Sequence, residues 1–220
     1  MKVIRYEDEF CYYVRKPGGI PTTFGKEKSF LEYLFEGSEK SGSCPFISLL
    51  SKAFTKDEER GLLNRLDNAT SGLLYFAKTP EIKANYKTLQ QAGMVHKYYL
   101  LEVYGDIKYR VEKNGLVIDF PIAHHKFAPE KMVVIDNEDK KNKANMRCHR
   151  VRTEIVEFQW NELSKTTTLI VKIEKGIRHQ IRSHLSVIGY PIVGDELYGK
   201  KKDPKRGNLQ LFSVGLSVKG

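Results

Sequence analysis

An aspartate, two arginines and two basic tracts are the residues of this sequence with chemistry to offer. Asp67 stands within RLDNATSG (65–72), a polar loop that leads into the apolar run 73–77. That places a carboxylate at the mouth of a strand, where a scaffold can hold it beside a cleft. Read locally, it is also an Asx-turn residue, with Thr70, Ser71 and Gly72 closing the turn. As the nucleophile of an aspartyl-phosphate phosphatase it would need a second aspartate where Ala69 stands, so that chemistry fails. Arg178 and Arg182 fall at i and i+4 of a predicted helix, where like charges repel unless an anion lies nearby. They make sense facing a carboxylate or a phosphate. Lys140, Lys141, Lys143, Arg147, Arg150 and Arg152 form one basic tract, and 200–206, with Lys200, Lys201 and Lys202, forms a second. Each is either a solvated loop or a contact for phosphates.

Charge supports the second choice. Lys and Arg number 37 against 27 Asp and Glu, a formal +10 that suggests a polyanionic partner. There is no Gly-rich phosphate loop, no HExxH and no cluster of metal ligands, so neither a metal nor a nucleotide cofactor is expected. Cys11, Cys44 and Cys148 are odd in number and far apart, which predicts reduced thiols and a cytoplasmic setting. No apolar run approaches the roughly 20 residues of a membrane helix, and the first residues lack a signal peptide's apolar core. A length of 220 residues suits one domain or two closely joined lobes.

The elements that must position these groups follow from pattern. Residues 3–6 and 10–16 read as a hairpin around Glu7, Asp8 and Glu9, and PGGIP (17–21) stops its second strand. Ser29 and Glu32 form a capping box for a short helix through about Phe35, ending at Gly37, before a flexible loop at 38–44. DEER (57–60) reads as solvated. Thr79 and Pro80 start a helix with Ile82, Tyr86 and Leu89 on one face, and Gly93 can end it. A strand over 96–104 gives Tyr99, Leu101 and Val103 one face, on which Tyr99 alone is an ordinary core aromatic. Residues 106–160 are the least legible; Asn114-Gly115 suggests a hairpin turn between strands within 111–121. Strands at 155–160 and 167–174 pair antiparallel, a helix over 178–188 buries Ile181, Leu185 and Ile188, and 209–218 closes the chain as a strand.

RLDNATSGLLYFAKT (65–79) resembles the signature of the RluA-type RNA pseudouridine synthases, and GIRHQIRSHLSVIGYPIVGDELYG (176–199) resembles that family's second long motif. YEDE (6–9) with KPGGI (16–20), and KYYL (97–100), match in the same order, so the resemblance spans nearly the whole chain. It implies an α+β fold with a mixed, mostly antiparallel central sheet, flanking helices and a basic catalytic cleft. It implies an enzyme that isomerises uridine in ribosomal or transfer RNA, acting as a monomer without a cofactor. Residues 1–220 leave no room for the small RNA-binding domain that many relatives carry ahead of the catalytic one, so a single catalytic domain is expected. The rival from another class is a noncatalytic RNA-binding or ribosome-assembly factor on the same fold.

Residue by residue, Asp67 matches the catalytic aspartate, a nucleophile or a base towards the nucleoside. Arg182 matches the arginine that pairs with it, and Tyr99 the tyrosine that stacks on the uracil and can move a proton. Arg65 matches an arginine that takes the place of the flipped uridine, while Arg178, Lys200, Lys201 and Lys202 are expected on RNA. The segment 17–21 is expected to pack near the site in support. Three departures stand out: Asn64 where the family has histidine, GIRH (176–179) for Gly-Arg-Thr-His, and LFS (211–213) for Leu-His-Ala.

Overall fold

The computed structural model describes residues 5–25, 27–41, 45–199 and 207–219. The chain divides into two compact units, Met1–Val95 with Phe212–Val214 and Val218–Gly220, and His96–Leu211 with Gly215–Ser217.

In the first unit, β1 (Arg5–Glu7) and β2 (Cys11–Lys16) form the expected antiparallel hairpin. The Asp8 carboxylate closes its turn by accepting the N–H groups of Phe10 and Cys11 at 2.8 and 2.7 Å. The capping box forms as read: Glu32 accepts from the Ser29 amide at 2.8 Å, and Ser29 Oγ accepts from the Glu32 amide at 3.2 Å. The helix it starts, α1 (Phe30–Ser41), runs through Gly37 rather than ending there. A glycine inside a helix costs about 1 kcal/mol, and burial of Phe30, Leu31, Leu34 and Phe35 outweighs it. Most of the loop expected at 38–44 is therefore helical, and 42–44 lie outside the described residues. In α2 (Pro45–Ala53), Phe46, Ile47 and Leu50 are buried.

Asp57 is not merely solvated. It accepts the Glu59 and Gly61 amides and pairs with Lys83 at 2.6 Å, tying the approach to the Asp67 loop onto the next helix. Then β3 (Ser71–Ala77) pairs antiparallel with β2, from Lys16 opposite Gly72 to Cys11 opposite Ala77. Thr79 caps α3 (Pro80–Gln91), whose Tyr86 is buried, and Gly93 follows at φ 73°.

In the second unit, β4 (Val95–Tyr104) is followed by a helix, α4 (Lys108–Asn114), where a hairpin was expected. The Asp106 carboxylate accepts the Lys108 amide at 2.9 Å, and Gly115, at φ 75°, returns its N–H to the Val111 carbonyl. Asn114-Gly115 is thus a helix exit; the positive φ that serves a hairpin turn serves a C-terminus equally. Next come β5 (Val117–Ile118), β6 (Ile122–His125), β7 (Met132–Val134), α5 (Glu138–Lys143), β8 (Ala144–His149), β9 (Thr153–Asn161), β10 (Thr166–Ile173), α6 (Gln180–Val187) and β11 (Leu211–Val218). Strands β4, β10, β9 and β5 lie in that order with antiparallel pairing.

A separate three-stranded sheet, β7-β6-β8, was not foreseen. Its strands are short, and its small core of Ile122, Met132, Val134 and Val151 gives no long period to read. The basic tract falls on α5, β8 and the residues after it, with Lys141, Lys143, Arg147, Arg150 and Arg152 exposed. Strand β11 is shared between the units: Phe212 and Ser213 run parallel beside Ser71 and Gly72, while Gly215 packs on the Tyr98 side chain. The α+β class and the mostly antiparallel pairing agree with expectation.

Candidate active site

The loop that carries Asp67 is fixed from all sides by its own unit. The Asp67 carbonyl accepts the Thr70 amide at 3.0 Å, which closes the turn. Thr22 Oγ1 donates to the Leu66 carbonyl at 2.7 Å and accepts the Leu66 amide at 3.1 Å, locking the preceding residue. Asn64 behaves like one more rung of the sheet: its Oδ1 accepts the Tyr75 amide at 2.9 Å and its Nδ2 donates to the Leu73 carbonyl at 3.2 Å. The departure from histidine at this position thus leaves a buried amide bonded through both its oxygen and its nitrogen.

The strongest brace is one that sequence reading missed. Lys16 has no exposed surface, and its ammonium donates to the carbonyls of Pro17, Asn68 and Thr70 at 2.8, 3.2 and 3.0 Å. An ammonium has three protons, and all three are used. Burial pushes the Lys16 amine down to about 8, while the Asp67 charge opposes that shift. The cation at the base of the loop and the carboxylate on it therefore attract one another. Alternation places Lys16 on the inward face with Tyr12 and Val14, and a charged residue in that register was the signal that reading the segment as a strand end passed over.

Two glycines let the chain approach this closely. A Cβ on Gly18 would lie 2.9 Å from the Ala69 carbonyl oxygen, and one on Gly72 (φ 114°) 2.3 Å from that of Ser213. Ser213, the last residue of the LFS departure noted above, donates to the Leu73 carbonyl at 3.0 Å. Asp67 itself is half-buried, and Arg65 beside it is exposed.

In the second unit, Tyr99 is buried on β4 opposite Val171 of β10, on one face with Leu101 and Val103. The expected helix pairing of Arg178 and Arg182 does not hold, because α6 starts only at Gln180. Arg178 precedes it and donates to the carbonyls of Pro129 and Glu130 at 3.0 and 3.2 Å. The reason is His179, whose left-handed backbone (φ 53°) breaks the helical path between them.

Arg182 does face a carboxylate, that of Asp195. Its Nε and Nη2 bond Asp195 Oδ2 and Oδ1, each at 2.8 Å, in a bidentate pair with almost no solvent exposure. Asp195 Oδ1 also accepts the amides of Leu197 and Tyr198 at 2.9 and 3.0 Å. Burial pushes this carboxyl up, but Arg182 and the two amides outweigh burial and hold it below its usual range. Sequence reading left Asp195 unassigned; its signal was an aspartate after glycine in the second long motif, 13 residues beyond Arg182.

His179 bonds Tyr198 Oη at 3.0 Å, and that oxygen accepts the Met132 amide at 2.7 Å. Burial, with the charges of Arg182 and Arg178, pushes the imidazole down to about 3, so it stays neutral and structural. Gln180, also buried, donates to the Arg152 carbonyl at 3.0 Å. Asp67 and Arg65 thus belong to the first unit and Tyr99, Arg178 and Arg182 to the second, while Lys200, Lys201 and Lys202 lie outside the described residues. No group of three or more metal-ligating side chains occurs among the described residues.

Comparison with known proteins returns a consistent set of similarities. Residues 11–187 match the family model described as RNA pseudouridylate synthase. The chain is 33% identical over 199 residues to ribosomal large subunit pseudouridine synthase D of Pseudomonas aeruginosa, covering 89% of this chain and 53% of that one. It is 28% identical over 198 residues to the dual-specificity RNA pseudouridine synthase RluA of Vibrio vulnificus, covering 90% and 69%. The chain spans about half the length of the synthase D relatives it matches. Among solved structures, human RNA pseudouridylate synthase domain containing 1 superposes with a TM-score of 0.70 at 17% identity, covering 99% of this chain and 78% of that one.

Proposed function

Since the chain belongs to the RNA pseudouridylate synthase family, we propose that it isomerises uridine to pseudouridine in ribosomal or transfer RNA. The observation that carries this reading is the braced Asp67 loop: a half-buried carboxylate on a backbone pinned by Lys16, Thr22 and Asn64. Rigid placement of a reacting group is what turns proximity into rate.

In this reading the C1′–N1 bond breaks, the uracil turns, and C5 bonds to C1′. Asp67 supplies the carboxylate, as nucleophile towards the nucleoside or as base towards the sugar. Arg182 keeps that carboxylate ionised and aimed, and Asp195 orients Arg182. The Tyr99 ring stacks on the uracil and its hydroxyl takes part in the closing proton transfer. Arg65 fills the gap left when the uridine flips out. The exposed basic groups of α5 and β8, with Arg178, Lys200, Lys201 and Lys202, hold RNA phosphates. The reaction has no net redox change, so it calls for no redox cofactor. A monomeric catalytic domain working in the cytoplasm completes the reading.

The test is pseudouridine mapping in RNA treated with wild type and with Asp67→Asn. The asparagine variant keeps size and some hydrogen bonding, so it folds and binds RNA, while product falls by orders of magnitude, ~10⁴-fold for loss of a catalytic group. Normal product from Asp67→Asn refutes the mechanism. Wild type that binds every RNA tried and modifies none points instead to the noncatalytic factor.

A further inference from the structure

A second buried lysine lies in the other unit, and its surroundings differ from those of Lys16. Lys97 of β4 is 7% exposed. Among the described residues its ammonium has no hydrogen-bond or ion-pair partner. The register explains why no acid reaches it. Lys97 stands opposite Ile173 of β10 and shares that residue's face, whereas the next residue, Glu174, approaches His96 Nε2 at 3.6 Å, on the other face. Burial alone pushes the Lys97 amine down, to about 8, so at neutral pH it remains largely a cation.

A buried charge without a counter-ion is costly, and this one has an open flank. Gly176 is exposed, and a Cβ built there would meet one side chain within 4 Å, Lys97 Nζ at 3.6 Å. The absent side chain of Gly176 leaves a way from the surface to the ammonium. Two residues along β4, on the same face and about 7 Å away by strand rise, stands Tyr99.

We propose that Lys97 binds a backbone phosphate of the RNA next to the nucleotide that stacks on Tyr99. This rests on the synthase reading, which brings a nucleotide to Tyr99. An RNA phosphate is a permanent anion, and it would supply the counter-charge that β10 directs away. The separation between the two side chains is of the same order as that between a base and its own phosphate. Lys97 is thus a substrate-binding residue with no proton to move.

The experiment titrates labelled decauridylate against wild type, Lys97→Met and Lys97→Arg over a range of salt. Methionine fills the space without charge, so Lys97→Met melts at or above the wild-type temperature, because a buried charge has been removed. Its plot of log affinity against log salt flattens by about 0.7, the loss of one single-strand phosphate contact. Between about 50 and 200 mM salt its affinity therefore falls roughly 2.6-fold less than that of wild type. Lys97→Arg keeps the wild-type slope. On a methylphosphonate decauridylate, which lacks backbone charge, the difference between wild type and Lys97→Met disappears.

An unchanged slope overturns the proposal. So does a fall in melting temperature together with affinity, which marks a structural lysine. A difference that persists on the neutral backbone also overturns it, because the contact is then to the base. Should Lys97→Met fail to fold, the Lys97 ammonium resonance of the wild type gives the same answer: it shifts on adding decauridylate, and no shift overturns the proposal. Wild type that makes no pseudouridine, beside a flattened slope for Lys97→Met, refutes the activity and leaves the phosphate contact standing.

Discussion

The Arg182–Asp195 pair allows stability and chemistry to be separated. Both side chains are withdrawn from water, at 5% and 0% exposure, and are joined by two bonds of 2.8 Å. Asp195→Ala removes the counter-charge of a buried guanidinium and the acceptor of two amides, so it costs about 3–5 kcal/mol, as expected when one partner of a buried pair is deleted. Asp195→Asn is milder, since an amide oxygen can still accept from Leu197 and Tyr198, and costs about 2–3 kcal/mol. Urea unfolding, read as a midpoint shift at constant slope, measures both. The double variant Arg182→Met with Asp195→Leu removes both charges and recovers most of the stability, since apolar residues of similar volume replace buried pairs at little cost.

Pseudouridine formation behaves otherwise. Asp195→Asn lowers turnover through a misplaced Arg182 while RNA affinity stays near wild type, and the stable double variant remains inactive. Two results refute this reasoning: a cost below about 1 kcal/mol for Asp195→Ala, or normal turnover in the double variant.

Two further outcomes follow from the buried lysines. Lys16→Met leaves three loop carbonyls unpaired at about 1–3 kcal/mol each, partly offset by not burying a charge; the net destabilisation is about 2–5 kcal/mol, and turnover falls more than RNA affinity, as thermal melts and product assays on one preparation will tell. Lys97 sets a pH dependence: burial pushes its amine from the ordinary 10.5 of a lysine down to about 8 in the folded chain, so the unfolded chain binds more protons between these values and stability rises with pH there. The difference in unfolding free energy between wild type and Lys97→Met therefore changes by about 3 kcal/mol in favour of wild type from pH 8 to 10.5, and a flat difference means that Lys97 is not buried as a cation.

What the sequence made legible was local. The Ser29–Glu32 capping box, the Thr79 cap and the alternation along β4 and β10 each lie within a few residues, and each formed as read. Gly37 and Asn114-Gly115 misled for the opposite reason. A glycine permits several conformations, and the choice was made by distant packing in one case and by Asp106 in the other. The site residues divide in the same way. Asp67, Tyr99 and Arg182 were picked out through motif resemblance, and what has been seen of them is their setting within each unit. Their supports were hidden, because Lys16 reaches carbonyls 52 and 54 positions away and Asp195 acts through a side chain 13 positions back. No periodicity reports a contact of that kind.

Among the described residues, the three buried lysine and arginine side chains form a series that bears on function. Lys16 is saturated by carbonyls, Arg182 is bonded bidentately to a carboxylate, and Lys97 has neither among the described residues. Burying each costs free energy that an apolar residue of the same size would avoid. For Lys16 the return is local, a loop held in one conformation; for Arg182 it is a guanidinium with fixed orientation. Lys97 orders no loop and orients no partner, so its cost is recovered nowhere within the described fold. It is recovered only if an anion arrives from outside, and the proposed reaction on RNA brings that anion at every turnover.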